Sequence, residues 1–356
     1  MSKKLPEGKR PEPRIVGKAS EEIKERARKI ILEKFEFHYE NLPPDIKDII
    51  EKYEISKMPY EIEAIKIAND ITNELLERFG LSPFDIPDKN IHILPEEVFE
   101  ELAGSKILSG RTFFENQWIL INNEIMKDVF SRVQVIFHEL IHLKAHFAME
   151  VNEITPQEAT ELPKEVIEKL RPFLPSIYRV GLMIYSLTKK TKEIGRFVVF
   201  WGLNEAVVEE IVKKNFWEFI KRNPYLKEEY EWQNSEEAQE IKKELAEKHN
   251  IPIEEILWVS KDGKDYENFL YYPQRKILYH IVKILYQDNI DKFKSQDEVM
   301  DLFIKAHFDG KILEIARLIE KSFGEGSFER IGAMGIDENS TNYLMNYLLK
   351  KRKIIY

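Results

Sequence analysis

The chain contains no cysteine in 356 residues, which excludes disulfides and every thiolate metal site. Any transition metal must therefore be held by histidine and carboxylate, a donor set more typical of catalytic than of structural zinc. No run of about 18 apolar residues occurs, so no membrane span is expected. Met1 to Lys18 lacks the apolar stretch of a secretory leader and carries six Lys/Arg against two Glu, with three prolines. That composition reads as a flexible basic tail, and the expected location is cytoplasmic. An excess of positive charge is missing too. The balance is −9, which argues against nucleic acid as a partner.

What remains is a globular composition, 43% hydrophobic and 33% charged, in a chain long enough for one large or two ordinary domains. Ser20 followed by Glu21 and Glu22 reads as a helix cap with first-turn acids, and apolar spacing continues through Ile23, Ala27, Ile30, Ile31 and Phe35. Pro43-Pro44 ends that helix. A second amphipathic helix is expected from Tyr60 to Arg78, stopping at Gly80. The period then changes to two. Asn90 to Leu94 reads as a strand, Pro95 to Ala103 as a short helix and Arg111 to Ile121 as strand-like. Beyond Pro156 the spacing is mostly helical, with candidates at Lys164–Leu174, Ser176–Leu187, Phe197–Phe219, Ser235–His249, Gln274–Tyr286, Ser295–His307 and Lys311–Lys321. Ser295 with Glu298 forms a capping box.

The most informative stretch is His138-Glu139-Leu140-Ile141-His142, within the apolar run Val133 to Phe147. On a helix, positions i and i+4 share one face, so two imidazoles can reach one ion. Glu139 points about 100° away from His138, close enough to act on a water at the metal without ligating it. Two neutral nitrogen donors, a nearby carboxylate base and an open position are the chemistry of a zinc peptidase. His146 extends the row, but eight helical residues place it about 12 Å from His138, too far to share the ion.

A third ligand is needed, and the strongest candidate lies in Trp201-Gly202-Leu203-Asn204-Glu205-Ala206-Val207-Val208-Glu209. This resembles the Asn-Glu-Ala motif of gluzincins, the zinc peptidases whose third ligand is Glu. The resemblance implies that Glu205 ligates zinc and that Glu209 hydrogen-bonds a ligand histidine, with Asn204 beside the site. The alternative is a solvated acidic face in which Glu209 pairs with Lys213. Sixty-two residues lie between His142 and Glu205, about three times the familiar spacer. Residues 150–196 are therefore expected to be a helical insertion. Glu161 stands at the familiar spacing but lacks the Asn before it and the small residue after it, and ranks second.

The order of strand, short helix, strand and motif helix resembles the upper half of the zincin fold. There an edge strand above the zinc helix pairs with extended substrate, and Thr112 to Ile121 is the candidate for it. Gluzincins usually draw an oxyanion stabiliser from beyond the third ligand. Tyr271, Tyr272, Arg275 and His280 lie in such a segment, and Tyr272 is favoured. His92, His249 and His307 show no partner pattern. The basic run Lys350 to Lys353 complements the end of the last helix.

The expectation is thus an α+β, predominantly helical, zincin-like fold with a small mixed sheet before the motif helix. Its parts are a tail over 1–19, a helical region over 20–88, strands plus the motif helix over 89–150, and a helical domain over 151–356. The expected activity is zinc-dependent hydrolysis of peptide or protein substrates, with Glu139 as general base. The alternative is a zincin-fold protein that binds zinc but works as a silent or latent regulator or interaction partner.

Overall fold

The computed structural model describes residues 10–35, 44–114, 117–125, 128–153, 173–190 and 193–355. Strand β1 (Arg14–Val16) is followed by helices α1 (Glu21–Phe35), α2 (Pro44–Tyr53) and α3 (Pro59–Arg78). Strand β2 (Ile91–Leu94), helix α4 (Glu96–Ala103) and strands β3 (Gly110–Phe113) and β4 (Trp118–Asn122) lead to α5 (Val129–Lys144), which carries the HExxH motif. Strands β5 (Phe147–Glu153), β6 (Phe173–Val180), β7 (Met183–Lys190) and β8 (Glu193–Val199) precede α6 (Trp201–Arg222). Next come α7 (Lys227–Gln233), α8 (Glu236–His249), β9 (Ile256–Val259) and β10 (Tyr266–Asn268). The chain closes with α9 (Tyr272–Gln287), α10 (Gln296–Asp309), α11 (Leu313–Phe323), α12 (Ser327–Gly332) and α13 (Glu338–Ile355). Helix predominates, and a small mixed sheet stands before α5, the zincin-like arrangement expected.

Two compact units divide the chain. One comprises Met1–Arg10, Phe35–Lys144 and Val208–Tyr272. Its sheet has the order β2-β4-β3, with β2 parallel and β3 antiparallel to β4. The runs Ile91-His92-Ile93-Leu94 and Trp118-Ile119-Leu120-Ile121 are buried at every position, as strands covered on both faces must be. Leu94, Trp118 and Leu120 pack with Ile50, Phe99 and Ala103 of α2 and α4, and by alternation Ile119 and Ile121 face the other way. The strand-like stretch is therefore a hairpin. Its second half is the buried centre of the sheet, and its first half, β3, is the edge.

The other unit comprises Pro11–Lys34, Ala145–Val207 and Pro273–Tyr356. Its five-stranded sheet has the order β1-β5-β6-β7-β8, antiparallel except for the β1–β5 pair. Residues 14–16, in the stretch expected as a tail, form β1. The helical reading of Ser176–Leu187, and with it the helical insertion, is corrected here: these residues are β6, a turn and β7. Val180 pairs with Met183 across Gly181-Leu182, and Gly181 has φ 57°, the left-handed start of a two-residue hairpin turn. Ile177, Val180, Ile184 and Leu187 mimic helical spacing by chance. Glu161 and Lys164 to Pro172 lie outside the described residues, while Phe173 and Leu174 belong to β6.

Candidate metal centre

Helix α5 begins at Asp128, whose Oδ1 accepts the N–H groups of Phe130 and Ser131 at 2.8 and 2.9 Å, a side-chain N-cap. From there the helix is buried nearly all round, with Val133, Ile136, Phe137, Leu140, Ile141 and Leu143 in the core. The ring of Phe137 stacks on Phe219 of α6 at 4.9 Å. Polar side chains on so apolar a helix need partners, and His138, Glu139 and His142 are only 3%, 8% and 5% exposed.

His138 and His142 point their Nε2 atoms at each other, 3.0 Å apart. His138 Nδ1 lies 2.8 Å from Glu209 Oε2, and Glu209 is wholly buried. A carboxylate can only accept here, so His138 carries its proton on Nδ1, which makes Nε2 the nitrogen that would ligate a metal. Glu209 Oε1 in turn accepts the N–H of Leu270 at 3.0 Å and the amide of Gln134. Glu205 and Glu209 both lie on α6, and four residues of spacing put Glu205 one turn before Glu209. Donor atoms of His138, His142 and Glu205 all lie within 4.8 Å of one another. Zinc bonds of about 2.0–2.2 Å place neighbouring ligand atoms roughly 3.3 Å apart. The donor set fits such an ion.

The solvated acidic face is ruled out, because Glu205 is 5% exposed and Lys213 pairs with Glu255. Asn204, also buried, accepts the N–H of Leu182 on Oδ1 at 3.0 Å. Glu139 sits under the edge strand: Thr112 Oγ1 is 2.7 Å from its Oε2 and 3.0 Å from its backbone carbonyl. A Cβ on Gly110 would come within 2.7 Å of Glu139 Cγ and 2.8 Å of Val135 Cγ1. Glycine is what lets β3 pass this close.

The two tyrosines part company. The ring of Tyr271 stacks beside His138, 5.8 Å between centroids at 27°, on a backbone at φ 52°. Tyr272 instead lines a cavity of about 470 Å³ with Lys243, Ala246, Glu247, Asn250, Ile251 and Pro252. Arg275 is buried and donates to the Tyr279 hydroxyl at 3.3 Å, while His280 packs on Phe323 and its pKa is lowered by burial. His92 meets Glu54 at 3.1 Å, and the ring of His249 lies against Tyr266. Of the residues that sequence reasoning passed over, Gln134 carried a signal. It is a polar residue one turn before His138 in an apolar run.

Among the described residues, no helix is long and apolar enough to cross a membrane. No protein-family model matches the chain, and comparison with curated proteins and with solved structures finds no match. The classification rests on the site. A buried HExxH pair of histidines grouped with a buried glutamate, in ligand-appropriate geometry, is the centre of a zinc metallopeptidase. With Glu205 as third ligand, it matches the gluzincin type of zinc site.

Proposed function

We propose that the chain hydrolyses peptide bonds in a peptide or protein substrate, with Glu139 as the general base. The convergence of His138, His142 and Glu205 beside Glu139 carries this reading. Zinc held there supplies a Lewis acid that acidifies water and polarises a carbonyl. Glu139 takes a proton from the attacking water and returns it to the leaving amine. Thr112 Oγ1, 2.7 Å from Oε2, holds the Glu139 carboxylate against the edge strand.

Glu209 holds His138 in the ligating tautomer, and its own buried charge is satisfied by Gln134 and Leu270. The substrate lies along the edge strand β3 and adds a strand through main-chain hydrogen bonds. Tyr271, whose ring lies beside His138, joins Tyr272 as a candidate donor to the developing oxyanion.

The test is Glu139→Gln, which keeps size and ligands but removes the proton acceptor. Zinc content should stay parental while hydrolysis of a mixed peptide library, read by mass spectrometry, falls at least about a hundredfold. Parental cleavage by the variant would remove Glu139 from the mechanism.

A further inference from the structure

Asn204, immediately before Glu205, has its amide oxygen between Leu182 and His307. Its Oδ1 accepts the backbone N–H of Leu182 at 3.0 Å and lies 3.2 Å from Nδ1 of His307. A backbone N–H can only donate, so the atom between them is the amide oxygen, and His307 must carry its proton on Nδ1. His307 is 0% exposed and lies on α10, 103 residues from Asn204 in the chain. The β6–β7 turn closes over this pair. A Cβ on Gly181 would stand 2.5 Å from His307 Nδ1 and 2.7 Å from Asn204 Oδ1.

The same histidine also meets the chain at His146. Its carbonyl accepts the N–H of His146 at 2.9 Å, and the His146 carbonyl accepts the N–H of Gly181 at 2.8 Å. His146 stands four residues after the ligand His142. The start of α6 is held from a further direction, because Phe200 donates to the Gly332 carbonyl at 2.7 Å and Gly202 to that of Met334 at 2.9 Å. These bonds use N–H groups that the start of a helix leaves without helical partners.

Resting on the zinc-site reading above, we infer that His307 is a positioning residue for the metal centre. Its side chain, through Asn204, sets where Glu205 stands, and its carbonyl holds the chain at His146, beside the same turn. Metal sites lose affinity when a ligand must be ordered at the moment of binding. A histidine that holds the residue next to Glu205 in place removes that cost. Simple core packing makes a different prediction: loss of the imidazole would lower the melting temperature and leave zinc affinity alone.

The experiment uses the full chain and measures zinc affinity by competition with a chromophoric chelator, alongside the visible spectrum of the cobalt-loaded protein. His307→Leu keeps bulk and removes the donor; it should weaken zinc at least about tenfold and alter the cobalt bands. His307→Asn puts an amide N–H where Nδ1 stood and should stay within about threefold of the parent. Gly181→Ala pushes on the same pair and should weaken zinc in the same direction.

Parental affinity and spectrum in His307→Leu overturn the inference, as does an Asn variant as weak as the Leu variant. If His307→Leu does not fold, parental affinity in Gly181→Ala overturns it. A parent that binds no zinc fails differently, since it removes the underlying reading and this inference with it.

Discussion

Replacing Glu209 with Gln tests how the site prepares its first ligand, because hydrogen-bond arithmetic forces the outcome. The carboxylate accepts from His138 Nδ1 on one oxygen and from Gln134 and the Leu270 N–H on the other. A glutamine amide has one accepting oxygen and one donating nitrogen. If the nitrogen faces His138, the imidazole must accept on Nδ1, which moves its proton to Nε2, the atom needed for zinc. If the nitrogen faces the other way, it meets the fixed N–H of Leu270, a donor opposed to a donor at a buried position. Either arrangement penalises the ligating tautomer.

Loss of such a carboxylate behind a ligand histidine typically costs ten- to a hundredfold in affinity, about 1.4–2.7 kcal/mol. The assay is chelator competition at fixed pH on parent and variant, with apo melting curves to confirm folding. Zinc affinity within a factor of about two of the parent would refute the argument that Glu209 sets the tautomer.

Gly110→Ala places a Cβ against Glu139 and Val135; it should cost about 1–3 kcal/mol in thermal unfolding and lower hydrolysis while zinc stays bound. Asp128 caps α5, and its pKa is raised by burial, with the neighbouring charge of Glu267 adding to it. A carboxyl group raised in the folded state contributes fully below its unfolded pKa, and that contribution is lost as pH rises through the folded value. Asp128→Asn keeps the cap and should therefore melt above the parent at neutral pH, with the gap closing near pH 4; a gap that widens on acidification would reverse the sign. Glu205→Ala should abolish stoichiometric zinc binding and Glu161→Ala should not, as read by metal analysis of both variants. The opposite pattern would move the third ligand to residue 161.

Much of the centre was legible because its chemistry is local. His138, Glu139 and His142 declare a shared helical face by spacing alone, and Leu-Asn-Glu-Ala marks Glu205 in spite of the long excursion that precedes it. The meander β5–β8 was not legible, since Ile177, Val180, Ile184 and Leu187 satisfy a helical period while pairing as strands. Gly181 was the available warning, a glycine inside a supposed helix. Tyr271 and Tyr272 could not be ranked from sequence. The ring of Tyr271 lies beside His138, on a backbone at φ 52°, a conformation that spacing does not announce. His307 was invisible for a simpler reason: its partner is 103 residues away, and no local pattern reports a contact made by tertiary packing.

Everything proposed for this chain depends on His138, His142 and Glu205 holding zinc. Elemental analysis of the full chain, purified without chelator and dialysed against metal-free buffer, tests it most directly. The expected result is about one zinc per chain, lost on treatment with a strong chelator and restored by adding zinc back. Protein with no stoichiometric transition metal, and none taken up on reconstitution, would contradict it.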